Sequence, residues 1–221
     1  MNRDITILLI LLGVMLAGCD LVDPTNPNNV DPFGYNKRVT YDGYTYTNNF
    51  GNSVHNKYIT FTGLGNVGYI DGRYASAIID STFHYSEQYG VEGLQRRDTL
   101  YFSEDINGNI YFLSYGYYRI VPTWIELFDF ADTNRYTYQS IDENINGQLW
   151  DLDIRSYVTQ TTVYTGFGAF PSYRLEQRVT YDSPYSTTET FIWYWNKSFG
   201  LMIYDEQRSG LIYQVAKEKN F

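Results

Sequence analysis

The sequence predicts an all-β fold of antiparallel strands, with at most one or two short helices. Three observations carry that expectation. First, among 221 residues there are 24 Tyr, 13 Phe and 4 Trp, an aromatic share of 19%. Such side chains fit a pleated, half-buried surface better than a helix, and their apolar area excludes disorder for most of the chain. Second, several stretches alternate apolar and polar residues with period two, the pattern of a strand with one buried face. Half-solvated strands of this kind pair antiparallel, because parallel strands are apolar on both faces. Third, Ile-Asn-Gly occurs twice between strand-like segments, at Asn107-Gly108 and Asn146-Gly147. Asn-Gly is the strongest short-range hairpin signal. A two-sheet sandwich is the alternative architecture.

The chain opens with Met1-Asn2-Arg3-Asp4 and an apolar run of 12 residues, Ile5 to Leu16. A membrane-spanning helix needs about 20 such residues, whereas a secretory leader needs fewer. The run ends in Leu16-Ala17-Gly18-Cys19, which resembles the bacterial lipobox. That resemblance implies a signal peptide over 1–18, cleavage before Cys19, and diacylglycerol on the Cys19 sulfur, often with a third acyl chain on the freed amine. Two or more chains would anchor the protein stably, at roughly 0.8 kcal/mol per buried methylene. The expected location is the bacterial cell envelope, on either membrane, with the membrane itself as a partner. Cys19 is the single cysteine, so no intrachain disulfide can form. Residues 19–32 hold three Pro and three Asn, residues of turn-forming type, which reads as a flexible linker.

From 33 to 221 a single antiparallel β domain is expected. The clearest strand is 148–158, where Trp150, Leu152, Ile154 and Val158 share one face while Asp151, Asp153 and Arg155 share the other. In 173–181, Tyr173, Leu175, Val179 and Tyr181 alternate with Arg174, Glu176, Arg178 and Thr180. Further strands are expected at 38–47, 58–62, 76–85, 99–103, 109–120, 189–196, 201–205 and 211–216. A short helix is expected over 122–132, because Pro122 precedes an apolar cluster as at a helix start.

Two segments of the C-terminal half, 163–175 and 191–204, carry a Gly-x-Phe turn, a strand, the aromatic strand Phe191-Ile-Trp-Tyr-Trp and a closing Gly-hydrophobic strand. They resemble a loose class of β-rich extracytoplasmic bacterial lipoproteins. Asn196-Lys197-Ser198-Phe199 stands where that class has a Pro-Gly-x-Gly turn. The resemblance implies one strongly curved sheet, an open half-barrel similar to that of lipoprotein carriers. It implies a concave face that shelters an apolar or amphipathic ligand. Trp150, Leu152, Ile154, Tyr173, Leu175, Phe191, Trp193 and Trp195 are the candidate lining. Ordinary core filling and a protein-binding patch are the competing uses of the same aromatics.

Motifs for catalysis are sparse. Gly63-x-Gly65-x-x-Gly68 has the spacing of a dinucleotide loop, but Gly72 interrupts any following helix, so a Gly-rich loop between strands is the simpler expectation. Residues 142–153 match part of a Ca²⁺ loop, with Asp142, Asn144, Asn146 and Asp153 as candidate ligands. A hairpin with acids on its solvated face explains the same residues. His55 and His84 stand in no metal-binding spacing, and there is no nucleophile elbow. No cofactor is implied. The net charge is −9, which disfavours nucleic acid as a partner. Residues 98–153 hold ten acidic and two basic side chains, nearly the whole excess. The expected function is therefore a lipid-anchored, non-catalytic module binding a lipid-like ligand. An envelope interaction protein is the alternative, and a hydrolase with paired carboxylates is a third reading.

Overall fold

A computed structural model describes residues 34–46, 53–114, 123–145, 147–165, 168–183, 186–206 and 212–219. Cys19, the leader and the 19–32 segment lie outside them, as do Pro122 and Asn146. The described residues form twelve strands and no helix: β1 Arg38–Tyr46, β2 Ser53–Ile70, β3 Arg73–Ser86, β4 Gly90–Glu104, β5 Ile110–Ser114, β6 Ile125–Phe128, β7 Tyr136–Ile145, β8 Gln148–Thr165, β9 Gly168–Ser183, β10 Thr187–Asn196, β11 Gly200–Glu206 and β12 Ile212–Lys219. All pairings are antiparallel, as the alternation predicts.

The strands make one sheet in the order β6-β5-β4-β3-β2-β1-β12-β11-β10-β9-β8-β7. Two six-stranded meanders are thus joined at the middle by the first and last strands. The sheet curls until its halves face each other. Phe112 of β5 packs on Trp193 of β10 at 5.4 Å, and Phe102 of β4 packs on Trp195 at 5.6 Å. The Tyr41 hydroxyl donates to the Leu201 carbonyl at 2.7 Å, a buried bond from β1 to β11. The two edges meet without a backbone ladder. Gln139 of β7 accepts from the Glu126 N–H of β6 at 3.1 Å and donates to the Trp124 carbonyl at 3.3 Å. Gln177 of β9, fully buried, donates to the Glu126 carbonyl at 3.5 Å and to the Ser156 hydroxyl at 3.2 Å. A side-chain amide on each of two strands therefore occupies the backbone groups that an open edge would leave unpaired.

The Asn-Gly expectations hold. Gly147 has φ 82°, and Ile145 pairs directly with Gln148, so β7 and β8 are joined by two residues. Gly108 also has φ 82°, in the turn where the Asp105 carboxylate accepts from the N–H groups of Asn107 and Asn109.

Two expectations are corrected. The described part of the expected 122–132 helix, residues 123–132, is not helical. Its apolar residues form β6, with Ile125, Leu127 and Phe128 buried in the main core and Trp124 on the other side, its Nε1 donating to the Ile70 carbonyl at 3.0 Å. The apolar cluster is wide because both faces of this strand are covered, which mimics a helical stripe. The glycines 63, 65 and 68 are not a loop between strands. They lie inside β2, where the register shifts between Gly63 and Gly65 and again between Asn66 and Gly68. Gly65 and Gly68 have φ of 72° and 93°, the left-handed geometry that bulges assign to glycine.

Candidate functional site

The concave interior comes first, because the eight candidate lining residues all lie there or at its border. Leu152 and Leu175 have no exposed surface, and Ile154, Phe191, Trp193 and Trp195 are buried. Trp150 and Tyr173 are half-buried and pack against the same core. All eight belong to or pack against one hydrophobic core, and three have ring partners among the described residues. Trp193 packs on Phe112 and on Tyr204 at 4.6 Å, and Trp195 on Phe102 and on Phe128 at 5.8 Å. Tyr173 meets Phe130 at 4.5 Å, and the Lys197 ammonium sits 4.4 Å from the Phe130 ring centre. A void of about 10 Å³ between Tyr41, Phe61, Ile78 and Leu201 has room for roughly one water.

A polar corner interrupts this interior on β2, β3 and β4. Asp80 is fully buried, opposite Phe61 on one side and Asp98 on the other. Its carboxylate accepts from Arg96 Nη2 and, at 3.4 Å, from the Thr82 hydroxyl. Burial lowers the Lys57 pKa, and the nearby Arg96 charge lowers it further. A carboxylate with no accessible surface cannot touch a substrate, so Asp80 acts as the counter-ion that lets Arg96 sit inside the curl.

The outer face of β7 to β10 is different. Inward packing of Leu152, Ile154 and Ser156 turns Asp153, Arg155 and Tyr157 outward, since successive side chains alternate. Two rows of cross-strand neighbours result. One row is Tyr138, Arg155, Arg178 and Thr190, and the next is Ser140, Asp153, Thr180 and Thr188. All but Thr190 border an open groove of about 590 Å³. The Arg155 guanidinium lies 3.7 Å from the Tyr136 ring centre and 5.9 Å from that of Tyr138. Arg178 donates from Nε and Nη2 to Glu176 at 3.2 and 2.9 Å, and Arg174 donates to the same carboxylate at 3.2 Å. Burial raises the Glu176 pKa, but these hydrogen bonds outweigh it and the net shift is downward. Glu176 is therefore ionised and holds Arg178, while Arg155 is held by a ring and makes no hydrogen bond or ion pair among the described residues.

Of the candidate Ca²⁺ ligands, Asp142, Asn144 and Asp153 lie on the rim of this face, and Asn146 lies outside the described residues. Asp142 pairs across the ladder with Asp151, Ser140 with Asp153, and Asn144 with Leu149. The acids form a row along a hairpin, where a calcium loop wraps its ligands around one point. Among the described residues no group of three or more His, Cys, Asp or Glu could hold a metal ion. Sequence reasoning marked Arg155 and Arg178 only as the polar sides of their strands. Thr180 was marked in the same way, while Tyr138 and Thr188 join them through register, which no local pattern displays.

Neither protein-family models nor curated proteins match the sequence. Two solved structures are similar in part. One is a protein inferred to be a lipoprotein, from Parabacteroides distasonis ATCC 8503, with 14% identity, a TM-score of 0.44, and coverage of 86% of this chain and 97% of the other. The second is a protein inferred to be exported, with a YmcC-like fold, from Bacteroides fragilis NCTC 9343. It shares 10% identity at a TM-score of 0.42, covering 86% of this chain and 98% of the other.

Proposed function

We propose that this protein is an exported, lipid-anchored component of the bacterial envelope, and that its β body is a non-catalytic binding module. Its contact surface is the outer groove of β7 to β10. The observation that carries this reading is the combination there of an Arg155 guanidinium with no ion pair among the described residues and an exposed Tyr138, on a body whose described interior is packed with its own aromatics. Exposed Arg and Tyr are the side chains most often used as interface anchors. The lipobox-like Leu16-Ala17-Gly18-Cys19 supports the tether. A lipid-like ligand on the concave face remains the second use. It would have to displace Trp193 or Trp195 from their partners, so the outer face is preferred.

Two measurements test this in a bacterial host. An alkyne fatty acid should label the chain and should not label Cys19→Ala. A photo-cross-linking residue at position 188 should capture an envelope component that the same residue at exposed position 91 does not. Absence of labelling removes the tether, and equal capture at both positions removes the groove.

A further inference from the structure

We propose that the groove binds a glycan bearing isolated carboxylates, with one carboxylate held between Arg155 and Arg178. This rests on the groove being the contact surface proposed above. Arg155 and Arg178 are directly opposite across β8 and β9, so their Cβ atoms are about 5 Å apart. Like charges in that position repel unless an anion lies between or beside them. Glu176 accepts from Arg178, through Nε and Nη2, and from Arg174, and takes nothing from Arg155. The Arg155 guanidinium lies over the Tyr136 ring, 3.7 Å from its centre, and its N–H groups make no hydrogen bond among the described residues, so they can take a carboxylate in the bidentate geometry that guanidinium favours.

The neighbouring row selects the rest of the ligand. Ser140, Asp153, Thr180 and Thr188 lie one side-chain repeat away, about 7 Å along the strands. The Thr180 and Thr188 hydroxyls lie 3.3 Å apart, and the Asp153 carboxylate has no partner among the described residues. This row offers acceptors and hydroxyls, which suits sugar hydroxyl groups. Tyr138 is 73% exposed at the end of the Arg row, an apolar ring against which the C–H face of a pyranose can lie. A densely acidic peptide fits less well. Asp153 stands inside the groove, Asp142 and Asp151 stand in the row beyond, and the chain carries −9 overall. A ligand whose negative charges are separated by neutral, hydroxyl-rich units satisfies both rows.

The test uses the complete chain and a hyaluronan octasaccharide, in which uronic carboxylates alternate with neutral sugars. Calorimetric titration should show saturable binding. Arg155→Gln and Tyr138→Ala should each weaken it at least tenfold, as should chemical reduction of the carboxyl groups of the sugar. Arg97→Gln, which removes an exposed cation on β4, should leave it within twofold. Circular dichroism melts on each variant confirm folding. No binding at millimolar octasaccharide overturns the proposal, as does binding that Arg155→Gln leaves unchanged. Octaglutamate binding as tightly, with no loss in Tyr138→Ala, would replace the glycan with an acidic peptide. Capture at position 188 in cells reports on the groove independently, so a negative glycan result leaves that reading standing on its own evidence.

Discussion

Trp195→Ala is the sharpest test of a filled interior. Trp195 is 1% exposed and lies between Phe102 at 5.6 Å and Phe128 at 5.8 Å, which come from the opposite half of the curled sheet. Truncating a buried Trp to Ala costs about 3–5 kcal/mol when the site cannot collapse around the cavity. Collapse is hindered here, because the two walls are held apart by neighbouring pairs such as Trp193 with Phe112. Each lost ring pair contributes about 0.5–1.5 kcal/mol beyond its area, and that share is already inside the larger figure. A loss of about 4 kcal/mol is therefore expected, against a total stability of about 5–15 kcal/mol for a domain. With a urea m-value of about 2 kcal/mol/M, the midpoint falls by about 2 M. Urea denaturation followed by far-ultraviolet circular dichroism reads the shift, with the m-value unchanged. A loss below about 1 kcal/mol would mean that the indole fills space the protein can do without. The concave face would then be a plausible pocket, and the preference for the outer groove would fail.

Three further outcomes follow from the geometry. Gln139→Ala removes both side-chain hydrogen bonds that tie β7 to β6, each worth about 0.5–1.5 kcal/mol. Hydrogen exchange should quicken at Glu126 while the amides of β8 and β9 stay protected, and unchanged exchange at Glu126 would disprove the edge closure. Burial first, then the nearby Asp129 and Asp105 charges, raise the Glu126 pKa. A carboxyl with a raised folded pKa favours folding below its unfolded pKa and loses that advantage as pH rises through the folded value. Glu126→Gln should therefore raise the melting temperature at pH 7 and leave it unchanged near pH 3, and a gain at both would assign the effect to packing. Millimolar Ca²⁺ should leave the melting temperature where a chelator puts it, because Asp142, Asp151 and Asp153 form a row; a rise that Asp142→Asn abolishes would restore the Ca²⁺ reading.

Strands with one wet face were legible in the sequence, and those with other habits were not. Residues 148–158 and 173–181 sit inside β8 and β9 with the predicted faces. By contrast β7, Tyr136–Ile145, escapes notice because among its residues 136–144 only Ile141 is a buried hydrophobic, so its alternation is faint. The early part of β4 is a run of exposed residues, and its pairing with β3 is set by register, not by burial. In β2 the bulges at Gly65 and Gly68 break the period-two pattern that would announce a strand. Closure of the sheet was invisible for a related reason. It depends on Gln139 and Gln177, two amides on separate strands that meet only after the whole sheet has curled.

The groove and the core are one structure read from two sides. In this curled sheet the inner face packs its own aromatics, and the contact surface proposed above lies on the outer one. Because side chains alternate, each core residue fixes the direction of its neighbours. Leu152 and Ile154 inside hold Asp153 and Arg155 outside, and Gln177 and Val179 inside hold Arg178 and Thr180 outside. A one-residue slip of β8 against β9 would bury Arg155 and expose Ile154, so the burial that stabilises the sheet also fixes the spacing of the two rows. Under the proposed function, the aromatic strands that look like a pocket lining serve binding indirectly. They hold in register the polar face on the reverse of their own sheet.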